Sequence, residues 1–122
     1  MSERISDAEH MVMEVLWAEA PLSAQEVVER IGPARDWSAN TVKTLLGRLL
    51  AKQVIAHEED GRRYLYRPLV ARADYLAGES QRLVDRLFGG KLTPLVAHFA
   101  ENDRLTSADI AEIEALLKAL KQ

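Results

Sequence analysis

Apolar residues recur in the first fifty positions at spacings of three and four, then at alternate positions, and then at three and four again. Ser6-Asp7-Ala8-Glu9 has the form of a capping box, and Ala8, Val12, Val15 and Leu16 follow at helical spacing. These predict a first helix over about residues 7–19, closed by Pro21. A second box, Ser23-Ala24-Gln25-Glu26, precedes the stripe Ala24, Val27, Val28 and Ile31, with Gly32-Pro33 as a stop. Ser38 is a cap for a third helix reaching about residue 52, in which Val42, Leu45, Leu46, Leu49 and Leu50 share one face. Two short segments rich in β-branched and aromatic residues, 54–59 and 63–67, flank Asp60-Gly61 and predict a β-hairpin.

Three helices followed by a two-stranded hairpin form a winged helix, the helix-turn-helix variant whose third helix reads DNA. The expected class is therefore mainly α with a small β-hairpin, with a winged helix-turn-helix DNA-binding domain over residues 1–69. The pattern changes at Val70. A connecting helix is expected over residues 71–88, with Leu76, Leu83, Val84 and Leu87 on one side and Gly89-Gly90 as its stop. Thr93-Pro94 reads as a cap followed by proline at the first helical position, with Leu95, Val96 and Phe99 turned inward. Thr106-Ser107-Ala108-Asp109 opens a last helix carrying Ile110, Ile113, Leu117 and Leu120. Residues 70–122 are marginal as an isolated unit, so burial of these stripes against a second copy of the chain is the economical reading and a helical dimerisation region is expected. Leu83, Leu87, Phe99, Ile110, Ile113, Leu117 and Leu120 are its candidate contacts in a homodimer.

Composition bounds this picture. The chain of 122 residues is 48% hydrophobic, enough for one modest core plus an accessory element. No apolar run approaches the roughly 20 residues needed to span a bilayer, and Met1-Ser2-Glu3-Arg4 lacks the shape of a secretion signal. A cytoplasmic protein without membrane insertion is expected. Cysteine is absent, which removes disulfides, thiolate metal sites and cysteine nucleophiles.

A net charge of −3 argues at first against a nucleic-acid partner, but its distribution reverses that. Residues 1–32 hold two basic and seven acidic side chains, residues 33–69 seven and four, and residues 70–122 seven and eight. Screening over about 8–10 Å makes the local excess in the middle segment decisive.

The polar face of the third helix carries the candidate chemistry. Asn40, Lys43, Thr44, Gly47 and Arg48 lie opposite the apolar stripe, and no carboxylate occurs between Trp37 and Gln53. Amide, ammonium, hydroxyl and guanidinium are the groups that meet phosphates and purine edges in a major groove. Ser38, Asn40, Thr41, Lys43, Thr44 and Arg48 are thus candidate contacts to double-stranded DNA, with Arg62 and Arg63 at the wing reaching phosphates in preference to pairing with Glu58 to Asp60. Gly47 costs about 1 kcal/mol in a helix interior relative to alanine, which leaves close approach to a duplex or simple tolerance open. Trp17, Trp37, Tyr64 and Tyr66 read as core residues.

His10, His57 and His98 are scattered, with no metal-ligand spacing. No nucleophile-base set, glycine-rich phosphate loop or paired-carboxylate constellation stands out, so neither an enzyme nor a cofactor or metal is expected.

These residues resemble the penicillinase-repressor group of bacterial winged-helix repressors (BlaI/MecI/CopY-like). The likeness spans nearly the whole chain: Ile5-Ser6-Asp7-Ala8-Glu9 and Val12-Met13-Glu14-Val15-Leu16-Trp17, then Trp37-Ser38 and Thr41-Val42-Lys43-Thr44-Leu45-Leu46. It continues through Gly61-Arg62, Tyr66-Arg67-Pro68-Leu69, Leu87-Phe88-Gly89-Gly90 and Pro94-Leu95-Val96. The resemblance implies a dimeric repressor on a palindromic operator with TACA/TGTA half-sites, controlling genes of the β-lactam-resistance type. In the β-lactam-responsive branch a membrane metalloprotease cuts an Asn-Phe bond, which falls here at His98-Phe99. The copper-responsive branch's C-terminal cysteine cluster has no counterpart in this chain.

Two further functions fit the same pattern. A winged helix can serve as a protein–protein module whose basic face is incidental, and the overall acidity suits that reading. A ligand-responsive regulator would need a pocket between wing and connecting helix.

Overall fold

The computed structural model describes residues 4–32 and 35–122. Pro33, part of the expected stop after the second helix, lies outside these residues, as do Met1, Ser2 and Glu3. The elements run α1 (Asp7–Ala18), α2 (Ala24–Ile31), α3 (Ala39–Ala51), β1 (Ile55–Asp60), β2 (Arg63–Pro68), α4 (Arg72–Phe88), α5 (Leu92–Glu101) and α6 (Ser107–Leu120). Two compact units divide within α4, the first extending to Leu76 and the second covering Ala77–Gln122.

Local chemistry sets the starts of the helices. Ser6 with Glu9, Ser23 with Glu26 and Thr106 with Asp109 all form closed capping boxes, each satisfying two backbone N–H groups that a helix start leaves unpaired. Ser38 caps α3 alone, its hydroxyl oxygen accepting from the Thr41 N–H at 3.1 Å. The expected Thr93 cap is not used. α5 begins at Leu92, with Lys91 at the cap position and no side-chain bond there. Pro94 is then the third helical residue, which is tolerated because N–H groups in the first turn have no intrahelical acceptor to lose.

The first unit is a winged helix built on one core. Val12, Met13 and Leu16 of α1, Val27 of α2, Val42, Leu45, Leu46 and Leu49 of α3, Leu22 and Ile55 are buried together. Trp17, Trp37 and Tyr66 pack against this cluster partly buried. The inner stripe of α1 is therefore Glu9, Val12, Met13 and Leu16, whereas Ala8 and Val15 lie at its half-buried margin. The hairpin pairs Ile55 with Pro68 through to Asp60 with Arg63. Its two-residue turn is consequently Gly61-Arg62, one position beyond the expected Asp60-Gly61. Gly61 takes φ +67°, the left-handed conformation that tight hairpins place here and that glycine adopts without penalty. Leu22 adds a short antiparallel bridge to the wing: its N–H donates to the Tyr66 carbonyl at 3.1 Å and the Tyr66 N–H returns the bond at 2.7 Å.

Burial of the hairpin fades from base to tip, so Tyr64 is 44% exposed and does not join the core as expected. Tyr66, nearer the base, does.

In the second unit Val84 is the only buried residue among those described. Leu95 is half-buried, but Val96 and Phe99, expected inward, are largely exposed.

A half-buried ion pair ties the start of α1 to the end of α3. Lys52 Nζ lies 2.8 Å from both carboxylate oxygens of Glu9 and 2.9 Å from the Arg4 carbonyl. Burial pushes the Glu9 carboxyl up, but bonds from Lys52 and from the Ser6 backbone and hydroxyl, with the ammonium charge, outweigh it and hold the group below its ordinary value. A carboxyl depressed in the folded state stabilises above its unfolded value, and the contribution is lost as pH falls through the folded one. Glu9→Gln should therefore lower the unfolding free energy at neutral pH by about 1–3 kcal/mol. The gap to wild type should close on acidification below about pH 4.3. Denaturant titrations across that range, at fixed protein concentration, check this; a gap independent of pH contradicts it.

Candidate nucleic-acid interface

With its apolar stripe buried, α3 turns Asn40, Lys43, Thr44, Gly47 and Arg48 outward, and all five are exposed. Their spacing places them on one face along two turns. Lys43 and Arg48 have no ion-pair partner among the described residues, so both cations are available. Ser38 and Thr41 differ. Their hydroxyls lie 3.1 Å apart, and the Ser38 oxygen also holds the helix start. Either hydroxyl contacts a ligand only while keeping this local role. Lys52, one turn further on, is turned away to Glu9.

The wing tip separates its two arginines. Arg62 is exposed at the turn with no ion-pair partner among the described residues. Arg63 instead pairs with carboxylates, contrary to the expected phosphate role. Its guanidinium lies 3.1 Å from Asp60 Oδ2 and 3.8 Å from Glu26 Oε1. The reason is the register: Asp60 and Arg63 are direct cross-strand partners. Glu26 stays ionised because bonds from the Ser23 backbone and hydroxyl, more than the nearby Arg63 and Arg30 charges, depress its carboxyl. Arg63 thus faces fixed negative charge on two sides.

A cleft of about 430 Å³ separates the start of α2 from the wing, with Ala39 and Lys43 of α3 on its wall. No α4 residue lines it, so it is not the pocket between wing and connecting helix that a ligand-responsive regulator would need. Gln25 and Tyr64, neither of them anticipated, line it exposed beside Lys43 and Arg62. Tyr64 was legible only as an alternating aromatic, and its exposure follows from the hairpin projecting beyond the core. His57 braces the wing, its ring centroid 4.4 Å from that of Tyr64 and 5.5 Å from that of Tyr66. Burial, then the neighbouring Tyr64, pushes the Tyr66 phenol up, so it remains a neutral group at the cleft.

The candidate dimer residues lie in the second unit. Leu83, Leu87, Phe99, Ile110, Leu117 and Leu120 are exposed, Leu120 by 81%, while Ile113 is half-buried. Leu92, Val96 and Leu116 are exposed as well and extend the apolar surface. His98 and Phe99 both occupy exposed positions inside α5. Among the described residues no group of three or more His, Cys, Asp or Glu side chains could hold a metal, and no helix is long and apolar enough to cross a membrane.

A family model described as penicillinase repressor matches residues 5–119. The penicillinase repressor of Bacillus licheniformis is 34% identical over 118 residues, covering 97% of this chain and 92% of that protein. The methicillin resistance regulatory protein MecI of Staphylococcus aureus (strain N315) is 32% identical over 113 residues, covering 93% and 92%. Among solved structures, monomeric Bacillus licheniformis BlaI in complex with the blaP half-operator has a TM-score of 0.52 at 35% identity. It covers 62% of this chain and 92% of that one.

Gly47 permits a test of the helix geometry. A Cβ built there meets nothing within 4 Å. Gly47→Ala should accordingly raise the unfolding free energy by about 1 kcal/mol, the helix-propensity difference without a steric cost. Chemical denaturation measures it, and a loss of stability would mean that this face is not open.

Proposed function

The chain belongs to the penicillinase repressor family, and from that membership we propose that it is a DNA-binding transcriptional repressor that occupies a palindromic operator as a homodimer. The observation that carries this reading is the exposed, acid-free face of α3, with Asn40, Lys43, Thr44 and Arg48 facing outward and Lys43 sharing a cleft with Arg62. In it α3 enters the major groove. Arg48 and Lys43 supply the cations suited to guanine or phosphate, Asn40 the amide suited to adenine. Arg62 approaches the backbone from the wing tip. Ser38, Thr41 and Thr44 add hydroxyl contacts, and Arg63 joins only by loosening its hold on Asp60 and Glu26. The likeness to BlaI, solved in complex with a half-operator, supports DNA as the partner.

The homodimer reading rests on the second unit's apolar surface. Exposed leucine, isoleucine and phenylalanine side chains at roughly 25 cal/mol per Å² represent several kcal/mol per subunit that burial against a second copy of the chain recovers. A dimer sets two α3 helices about 34 Å apart, one turn of duplex, and each engaged subunit raises the effective concentration of the other at its half-site.

Release by proteolysis at His98-Phe99, with a membrane-bound protease as partner, is the family's form of induction carried to this chain. The bond lies inside α5, where the His98 carbonyl accepts from both the backbone and side chain of Asn102. A protease that takes extended substrate must therefore unwind the last turn of α5 first.

Lys43→Ala and Arg48→Ala are to be titrated against a duplex with two inverted TACA/TGTA half-sites and against random DNA. Loss of a base contact should cost about 1–3 kcal/mol on the specific duplex, whereas loss of a phosphate contact should weaken both and lower the salt slope by about one. Wild-type behaviour in both variants overturns this face as the reader. If the wild type binds without the steep salt dependence of counterion release, the protein–protein alternative is favoured.

The chain shortened to residues 1–98 should sediment as a monomer and lose the advantage of the paired site, while keeping half-site binding. A dimer that holds the paired site as tightly as the full chain would remove both the last helix as the interface and cleavage at His98-Phe99 as the release.

A further inference from the structure

The cleft between the start of α2 and the wing is lined by charges of both signs, Lys43, Arg62 and Arg63 against Glu26 and Glu29. Arg63 is held by carboxylates of two different elements. Its Nε and Nη2 lie 3.2 and 3.1 Å from Asp60 Oδ2, and its Nη1 lies 3.8 Å from Glu26 Oε1. Local structure keeps both acids in place. Asp60 is the cross-strand partner of Arg63 at the last pair before the turn, and Glu26 Oε1 accepts the Ser23 N–H at 2.9 Å in the capping box that starts α2. Arg62, one position earlier in the chain, is exposed with no ion-pair partner among the described residues. Two adjacent arginines at one hairpin tip thus stand in opposite electrostatic settings.

We propose that Arg63 acts as a counter-charge and not as a DNA contact: it masks Asp60 and Glu26 where the phosphate backbone passes the wing, so that the Asp60–Arg63 pair sets how tightly the protein holds DNA of any sequence. The proposal rests on the reading of α3 and the wing tip as the DNA face. A carboxylate left bare beside a phosphate repels it, and within the roughly 8 Å screening length of physiological salt that repulsion is felt. Turning Arg63 to a phosphate would bare Asp60 and Glu26 toward the same phosphate, so one attraction is gained against two repulsions. Arg62 has no such consequence and is the arginine of the two that neutralises a phosphate. The effect carries no sequence preference, because no base edge is involved. Its size is bounded by exposure. The Asp60 and Arg63 side chains are 53% and 55% exposed, where water reduces a close unit-charge interaction to a factor of about five in affinity.

The test titrates the full chain against a duplex bearing one TACA/TGTA half-site and against random DNA, at salt raised stepwise from about 50 to 200 mM. Arg62→Gln should weaken both duplexes and lower the salt slope by about one, as the loss of a phosphate contact does. Arg63→Gln should weaken both by about fivefold with less than half of that change in slope, and Asp60→Asn should tighten both by about the same factor. The double variant Asp60→Asn/Arg63→Gln, which restores the local charge balance, should return to within about twofold of wild type. Arg63→Lys keeps the charge without the guanidinium geometry and should bind as wild type does; a loss as large as that of Arg63→Gln would make the residue a brace of the hairpin and overturn the proposal. An equal loss of slope in Arg62→Gln and Arg63→Gln overturns it as well, as does failure of Asp60→Asn to restore Arg63→Gln, or wild-type binding in both single variants of the pair. Wild-type protein that binds neither duplex, or binds without salt dependence, overturns instead the reading of this face as the DNA interface.

Discussion

One stripe of α3 buried against α1 and α2 is the constraint on which the rest depends. Val42, Leu45, Leu46 and Leu49 are at most 5% exposed, and at about 1.5–3 kcal/mol for each fully buried side chain they contribute roughly 6–12 kcal/mol. No exposed ion pair, worth about 0–1 kcal/mol, competes with that. The helix cannot rotate about its axis without giving up this burial, so its opposite face is held toward solvent by the core and not by its own polar residues. Lys52 shows how position on the helix decides role. It is as basic as Lys43, but it falls at the buried end and serves as the partner of Glu9.

The wing depends on the same core at one remove. Ile55 anchors its base, and the reciprocal backbone bonds between Leu22 and Tyr66 stitch β2 to the segment between α1 and α2. Beyond that bridge the hairpin carries charges of both signs. Asp60 and Glu26 offset Arg63, which leaves Arg62 and Lys43 as the cations lining the cleft without an ion-pair partner among the described residues. A chain with net charge −3 can therefore present a local positive face.

Signals confined to a few neighbouring residues were legible in the sequence. The three capping boxes or caps of the first unit, the stripe of α3, the hairpin and the exposed α3 face all follow from spacing within one element. What was not legible depends on residues far apart in the chain. Glu9 reads as a capping-box carboxylate, and only the packing of α1 on α3 brings Lys52 to it. The Leu22 bridge is a backbone contact with no side-chain signature. Arg63 looked free until the register put Asp60 opposite it, and that register turned on a one-residue difference in where the hairpin bends. Tyr64 and the α5 residues Val96 and Phe99 read as inward because alternation and periodicity show which residues share a face, not whether anything covers it. The bonds from Trp17 Nε1 to the Val70 carbonyl and from Arg72 to Glu14 join positions more than fifty apart and were invisible for the same reason.

The central claim is that DNA meets the outward face of α3 together with the wing tip. Amide and side-chain NMR signals followed while the full chain is titrated with a duplex bearing one TACA/TGTA half-site test it most directly. The account predicts that the largest shifts fall on Ser38 to Arg48 and on Gly61 to Tyr64, with α5 and α6 nearly unchanged. Shifts concentrated on α5 and α6, or no shifts on α3 at a concentration where the duplex is bound, would contradict it.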